Sequence, residues 1–224
     1  MALQWVLLLA FNIIINADVA HSKETKVEVQ PAQETLLDAV IHRDSESVRR
    51  TLSKGKADLE KLDARKRTPL LIATQNDDIE TARLLIEAGA NVNAQDDKLD
   101  SPLLYAGAEG RLQILKMILK AKPNFKIYNR YGGTALIPAC ERGHVEVVKE
   151  LLKTDIDIDH KNKLGWTALL EAVILGTGGS KHQEIVKLLV EAGADKSIPD
   201  SEGITALEHA KKRNLKEIVA ILSK

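Results

Sequence analysis

Apolar residues recur with the period of an α-helix in several short segments of the chain. Between Val145 and Leu152, apolar residues occupy the first, fourth, seventh and eighth positions. This spacing places them on one face, so the segment is predicted to be an amphipathic helix with one buried stripe. A shorter helix is predicted to precede it and to end at Gly143, because glycine readily adopts the left-handed conformation that ends helices. Equivalent stripes are Ile79/Ala82/Leu85, Leu112/Leu115/Ile118 and Ile185/Leu188/Leu189.

A motif that suits a helix start recurs along the chain at a constant step. Threonine or serine is followed by proline or alanine and then by leucine, and the first four copies are 33 residues apart. The hydroxyl residue caps a helix, and proline is favoured at the first helical position. A fixed step of this size predicts a repeat protein, whose modules stack into a solenoid. The copies begin at Thr68, Ser101, Thr134, Thr167 and, after 38 residues, Thr205.

Each repeat is predicted to contain two helices and a β-hairpin, which makes the fold class all-α with short β-hairpins between helix-turn-helix units. Thr134 is predicted to cap the first helix of its repeat with its hydroxyl group. Pro138 follows in the first helical turn, where it removes at most one early helix bond. Polarity alternates from Asp155 to Asp159, and the chain then turns at Lys163–Gly165. Such alternation before a turn is typical of a hairpin.

The beginning of the chain differs from the rest. Residues Leu3 to Ile15 are almost wholly apolar, a length that suits the core of a signal peptide and is short for a membrane span of about 20 residues. We expect residues 1–20 to be a signal peptide cleaved after Ala17 or Ala20, although no lysine or arginine precedes Lys23. Residues 21–33 are expected to be a polar linker.

Two locations follow from this segment. With a cleaved signal the protein is exported, to the periplasm or outside the cell, and meets the membrane only during export. The alternative is a protein tethered to the membrane by an uncleaved N-terminal segment.

Composition excludes several kinds of chemistry. The 32 basic residues are balanced by 32 acidic ones, so there is no basic excess that would indicate a nucleic-acid partner. Cys140 is the only cysteine, which excludes an intramolecular disulfide and a multi-cysteine metal site. No nucleophile, kinase or dinucleotide-binding motif occurs. We therefore expect no catalytic residues, metal, cofactor or small-molecule substrate.

The segment Gly176–Lys181 accounts for the five additional residues in the last repeat step. It is rich in glycine, but the order of its residues does not match a phosphate-binding loop. Two interpretations remain open. The segment is either a tolerated loop insertion or a loop that contacts a partner, since function concentrates on loops carried by a rigid scaffold.

These motifs together resemble the ankyrin repeat. The resemblance rests on the Thr-Pro-Leu starts, on Gly143–His144, and on Gly-Ala-Asn and Gly-Ala-Asp at Gly89–Asn91 and Gly193–Asp195. With the apolar N-terminus, the chain is similar to small exported bacterial ankyrin-repeat proteins. The resemblance implies a solenoid of about six repeats, including degenerate end repeats, over residues 34–224. The implied repeats are 34–67, 68–100, 101–133, 134–166, 167–204 and 205–224.

The resemblance also implies a binding surface, because ankyrin repeats bind proteins through the tips of their turns and the exposed face of each first helix. Carried onto this sequence, those positions collect aromatic, aliphatic and arginine side chains on repeats four and five. Solvent-facing positions rarely collect such side chains without use. For Trp166 the alternative is simple packing between hairpins. The predicted partner-binding residues are Arg130, Tyr131, Arg142, Leu164, Trp166, Ile174 and Leu175.

The predicted function is therefore a non-enzymatic, exported module that binds an unidentified protein partner. A narrower alternative is an inhibitor or immunity-type protein that caps a specific enzyme in the cell envelope. Homotypic assembly through the same apolar residues, or an enzyme, would be different classes of function.

Overall fold

The computed structural model describes residues 35–224, and within that range the chain forms twelve α-helices in six successive pairs. The predicted signal peptide (1–20) and linker (21–33) lie outside the described residues. The first helices of the pairs are α1 (Leu36–Ile41), α3 (Pro69–Gln75), α5 (Pro102–Ala108), α7 (Leu136–Glu141), α9 (Ala168–Ile174) and α11 (Ala206–Lys212). The second helices are α2 (Ser45–Ser53), α4 (Ile79–Glu87), α6 (Leu112–Lys120), α8 (Val145–Leu151), α10 (Ser180–Glu191) and α12 (Lys216–Leu222).

The helices pack in two rows that run along the solenoid. Each first helix contacts the first helix of the next pair, from α1 and α3 through to α9 and α11, and the second helices do the same from α2 to α12. Within each pair the two helices also contact each other. Because every repeat rests on its neighbours, the core is continuous through all six pairs, as a repeat architecture requires.

Small residues in the first-helix row allow this close packing. The alanine five residues after each cap is fully buried in every repeat that carries the motif. At Gly107 on α5 the neighbouring repeat comes closer still, because a Cβ there would lie 2.8 Å from the carbonyl oxygen of Ala135. The buried alanines are Ala73, Ala106, Ala139, Ala172 and Ala210.

Most first helices begin as the motif predicts. The side chains of Thr68, Ser101, Thr167 and Thr205 each accept a hydrogen bond from the backbone N–H three residues later. At Thr205 the carboxylate of Glu208 also accepts a hydrogen bond from the threonine N–H, which completes a capping box.

The prediction that Thr134 caps its helix is wrong. In other repeats the residue four positions after the cap donates to its carbonyl, as Ile72 does to Thr68 at 3.0 Å. Pro138 occupies that position in repeat four and has no N–H to donate. Helix α7 accordingly starts later, at Leu136, and the buried Thr134 hydroxyl has no hydrogen-bond partner among the described residues.

An aspartate or asparagine closes the turn before each motif. Its Oδ1 accepts from the N–H groups two and four residues later, and its own N–H donates to the carbonyl of the fourth residue. Both bonds to Asn162 Oδ1, from Leu164 and Trp166, are 2.9–3.0 Å long. The five turns begin at Asp63, Asp96, Asn129, Asn162 and Asp200.

These turns replace the predicted β-hairpins. No strand forms between residues 35 and 224, and the described residues contain one isolated antiparallel bridge, between Pro199 and Thr205. The N–H groups that a hairpin would use for cross-strand pairing donate instead to the side chain that closes the turn. The backbone bonds that close each turn stay within its five residues, as those from Asn162 N–H to the Trp166 carbonyl and from Gly165 N–H to the Asn162 carbonyl do, so no β-ladder extends from the turn.

The glycine-rich insertion is packed against the last repeat. Arg213 donates to the carbonyl oxygens of Val173 and Gly176, the latter at 2.9 Å. A Cβ on Gly178 would lie 2.5 Å from Leu215. The following helix α10 has 12 residues, whereas α8 and α12 have seven. These contacts favour the interpretation as a loop insertion that the fold has absorbed.

One further property concerns membranes. None of the helices between residues 35 and 224 is long and apolar enough to cross a membrane.

Candidate protein-binding surface

Two neighbouring turns and the end of one helix carry the residues predicted to bind a partner. We call Tyr131, Leu164, Trp166, Ile174 and Leu175 the apolar patch. Tyr131 lies in turn 129–133, and Leu164 and Trp166 lie in turn 162–166. Ile174 is the last residue of helix α9, and Leu175 follows it.

Backbone hydrogen bonds and one side-chain hydrogen bond hold these elements side by side. Lys163 N–H donates to the Tyr131 carbonyl at 2.9 Å, which joins the two turns. The side chain of Asn162 bonds to Glu171, which joins the second turn to α9. The N–H of Leu175 donates to the Glu171 carbonyl at 3.0 Å. The arrangement is therefore fixed by the scaffold.

The residues of the apolar patch differ in their exposed fraction. Tyr131 is 59% exposed, Leu164 57% and Leu175 50%. Trp166 and Ile174 are half-buried and pack against the core. Part of the Trp166 side chain therefore packs against the core, and the remainder is exposed to solvent.

Arginines flank the apolar patch, and each is paired within the chain. The Arg130 guanidinium lies 4.7 Å from the centre of the Tyr131 ring and 3.6 Å from Asp100. Arg142 bonds to Glu109 and, at 3.0 Å, to the Ala108 carbonyl. The positive charge of Arg130 is thus paired with Asp100 of repeat two, and that of Arg142 with Glu109 of repeat three.

A buried carboxylate lies beside the apolar patch. Glu171 is only 6% exposed, and its Oε1 accepts one hydrogen bond from Asn162 Nδ2 at 2.8 Å. Burial raises the pKa of its carboxyl to about 7, the negative charge of Glu141 on α7 raises this pKa as well, and the Asn162 bond acts in the opposite direction. No lysine or arginine among the described residues forms an ion pair with either glutamate.

Sequence reasoning missed Glu171, although a signal was present. Its position four residues after the motif threonine is held by Ile72 and Tyr105 in other repeats. An acid at a position that holds isoleucine and tyrosine in two other repeats is the kind of exception that marks a special environment. The neighbouring Asn162 supports it, because an amide both closes the turn through its oxygen and donates to the carboxylate through its nitrogen.

The histidines have structural partners in adjacent repeats. Nε2 of His144 lies 3.2 Å from the Ala108 carbonyl, and Nε2 of His182 lies 2.8 Å from the Glu141 carbonyl. His160 reaches the preceding turn in the same way. Between residues 35 and 224 no group of three or more His, Cys, Asp or Glu side chains is arranged to hold a metal ion. These imidazoles link repeats four and five to the repeats before them.

Comparison with known proteins identifies this architecture. The family model described as ankyrin repeats (3 copies) matches residues 36–129 and 103–200, which together span most of the chain. The chain belongs to the ankyrin repeat family. Ankyrin repeats are protein–protein interaction modules and are generally non-enzymatic. The turns and first helices described above are therefore the candidate protein-binding surface of this ankyrin repeat protein.

Solved ankyrin repeat structures agree with this fold over nearly their whole length. EF0377 is 47% identical, with a TM-score of 0.83 over 85% of this chain and 96% of that one. The ankyrin repeat domain ABAYE2397 of Acinetobacter baumannii AYE is 49% identical, with a TM-score of 0.81 over 84% and 95% of the two chains.

A curated relative matches over a shorter stretch. The ankyrin repeat protein YahD of Escherichia coli K12 is 46% identical over 52 residues. The match spans 23% of this chain and 26% of YahD, about a quarter of each protein.

Proposed function

We propose that this ankyrin repeat protein binds a protein partner through the apolar patch on repeats three to five, which receives a segment of the partner. The supporting observation is that Tyr131 and Leu164, at the tips of adjacent turns, are each more than half exposed. Large apolar side chains exposed on neighbouring elements in this way typically mark an interaction site. Aromatic side chains flanked by arginine are also the usual composition of interface hot spots.

The other turns do not share this character. The third residue of a turn is Tyr131 or Leu164 in the apolar patch, whereas it is Arg65, Lys98 and Glu202 in the remaining turns. The scaffold is the same in each repeat, so the difference lies in the side chains that it presents. A partner that recognises apolar groups would therefore bind at the apolar patch.

Replacing Tyr131 and Leu164 together by alanine should abolish partner binding and leave the fold intact. Interface anchors contribute about 2 kcal/mol or more each, which is about thirtyfold in affinity. Both side chains are more exposed than buried, so their loss should change stability by less than about 1 kcal/mol. A photo-crosslinking residue at Ser201, on the next turn, would capture the partner in cells that naturally make the protein. The purified partner is then titrated against each variant.

Leu62→Ala is the matched control, because Leu62 is 51% exposed but lies outside the apolar patch. It should bind the captured partner as well as wild type does. A partner that binds the Tyr131/Leu164 double variant normally and loses affinity for Leu62→Ala would place the interface at the N-terminal repeats and refute this surface.

We further propose that the protein is exported, and the apolar run from Leu3 to Ile15 supports this. Replacing Leu8 by arginine places a charge within that run, which costs roughly 3 kcal/mol on membrane-insertion scales. The wild type should fractionate with exported proteins, and Leu8→Arg should stay in the cytosol. Finding both proteins in the cytosol would contradict export without affecting the binding proposal.

A further inference from the structure

Charges around the apolar patch do not balance within the chain. Arg130 is paired with Asp100 and Arg142 with Glu109, and Lys163 Nζ donates to the Arg130 carbonyl at 2.8 Å. Glu141 and Glu171 form no ion pair among the described residues. Lys163 at the turn thus has a neutral carbonyl as its partner, whereas the charged groups of the first helices α7 and α9 are these two unpaired carboxylates.

Repeat six shows how the same position can be neutralised internally. His209 is the counterpart of Glu171 there, and its Nε2 lies 2.7 Å from Asp200 Oδ2. An ionisable base and a carboxylate thus meet between a turn and the first helix that follows it. For Glu171 the counterpart of that aspartate is Asn162, a neutral amide. Hydrogen bonding from the amide satisfies one carboxylate oxygen but supplies no positive charge.

The position of Glu171 connects it to the apolar patch. Ile174, the last residue of helix α9, and Leu175, its C-cap, follow Glu171 by three and four residues, a spacing that places them on the same side of the helix as Glu171. Glu141 ends α7, which packs directly against α9. A segment lying on the apolar patch would therefore pass both carboxylates.

We infer that the segment bound by the apolar patch carries a lysine or arginine next to its apolar side chains, and that this cation pairs with Glu171 and Glu141. The inference rests on the proposed function. A long, flexible side chain is needed, because Glu171 is only 6% exposed. Lysine and arginine carry their charge on such stems, whose methylene groups can pack along Trp166. Opposite charges of this kind set the register and identity of a partner more than they add bulk affinity.

A peptide selection tests the inference with the full chain. A random dodecapeptide phage library is selected at pH 8 on wild type and, in parallel, on Glu171→Gln, which keeps the side-chain volume and removes the charge. Wild type should select peptides with a lysine or arginine at a fixed distance from aromatic or aliphatic residues. Glu171→Gln should select apolar peptides without that basic residue.

Synthetic peptides then supply the decisive measurement. A peptide selected on wild type should bind Glu171→Gln at least about tenfold more weakly, and replacing its basic residue by norleucine should weaken binding to wild type at least as much. For Glu171→Gln the norleucine change should have a much smaller effect, because only the pairing with Glu141 remains to be lost. At pH 6 the proton competes for Glu171, so wild type should bind the basic peptide several-fold more weakly than at pH 8.

Failure of the inference can be told apart from failure of the proposed function. Selected peptides that bind the Tyr131/Leu164 alanine variant as well as wild type would refute the apolar patch itself. Peptides that need the apolar patch, but show no basic residue or bind Glu171→Gln unchanged, would overturn the inference alone.

Discussion

Replacing Val148 by aspartate should unfold repeat four and destabilise its neighbours. Val148 is fully buried on α8, so the variant places an unpaired carboxylate in the core. Leaving a charge uncompensated in a protein interior costs about 3–5 kcal/mol, a large part of the roughly 5–15 kcal/mol that stabilises a typical domain. For about 190 folded residues we expect a melting temperature lower by about 10 °C. Thermal unfolding followed by circular dichroism measures this.

Damage should spread along the solenoid rather than stay local. Helix α8 packs on α6 and α10 as well as on α7, and neighbouring repeats share their interface energy. Hydrogen exchange should therefore accelerate in repeats three to five and much less in repeat one. Glu146→Asp, which puts aspartate on the exposed face of the same helix, is the control and should melt like wild type. Equal melting curves for Val148→Asp and wild type would show that the buried stripe has been misassigned.

The repeat architecture could be predicted from sequence because it depends on short-range rules that recur. A hydroxyl residue before the helix, a small residue five positions later and an apolar stripe are each local signals, and the constant step reinforces them. Ala73 and its counterparts are buried as that reading requires. Consistency among copies carried more information than any single copy.

Local rules failed where two of them competed. Thr134 has the side chain of a cap, but Pro138 four residues later removes the bond that fixes the cap's carbonyl in the other repeats. Alternation from Asp155 to Asp159 suggested a strand, yet the Asp159 N–H donates to the Asp157 side chain and the His160 N–H donates to the Asp157 carbonyl, so this segment also turns. Asparagine and aspartate are known turn formers, and their recurrence before each motif was the signal that could have predicted these turns.

Some features of the candidate surface could be predicted from the sequence, and others required the structure. Exposure of Tyr131 and Leu164 followed from their place at turn tips, which depends on the repeat register alone. Half-burial of Trp166 could not be predicted, because it depends on how the turn lies on the core. The environment of Glu171 also required the structure, because its burial arises from packing of α7 against α9 and its hydrogen bond comes from a residue nine positions earlier.

Replacing Glu171 by glutamine should stabilise the protein at pH 8 and remove a pH dependence. The carboxyl has a pKa of about 7 when folded, against 4.5 as its ordinary value. Between these values the folded state binds more protons than the unfolded state, so stability is greatest at low pH and falls as pH rises from 4.5 to 7. A difference of this size corresponds to about 3 kcal/mol. Glutamine has no charge to bury, so the variant should be more stable by up to that amount at pH 8 and similar to wild type near pH 5.

The groups around this carboxyl justify assigning the effect to Glu171. Asn162 bonds to it from the turn, α7 contributes Glu141 and the neutral thiol of Cys140, and α10 and α11 direct His182 and His209 to other acceptors.

The measurement is urea unfolding of wild type and Glu171→Gln at intervals from pH 5 to pH 8, compared as a difference at each pH. Taking the difference cancels the other groups that titrate in this range, such as His144, whose pKa is lowered by burial and whose contribution has the opposite sign. Glu141→Gln is the control. It removes a nearby negative charge without changing the buried group, so it should lower the pKa of Glu171 and flatten the profile only in part. A wild-type profile parallel to that of Glu171→Gln would show that Glu171 is ionised at little cost, and its burial would then have no energetic consequence for repeat five.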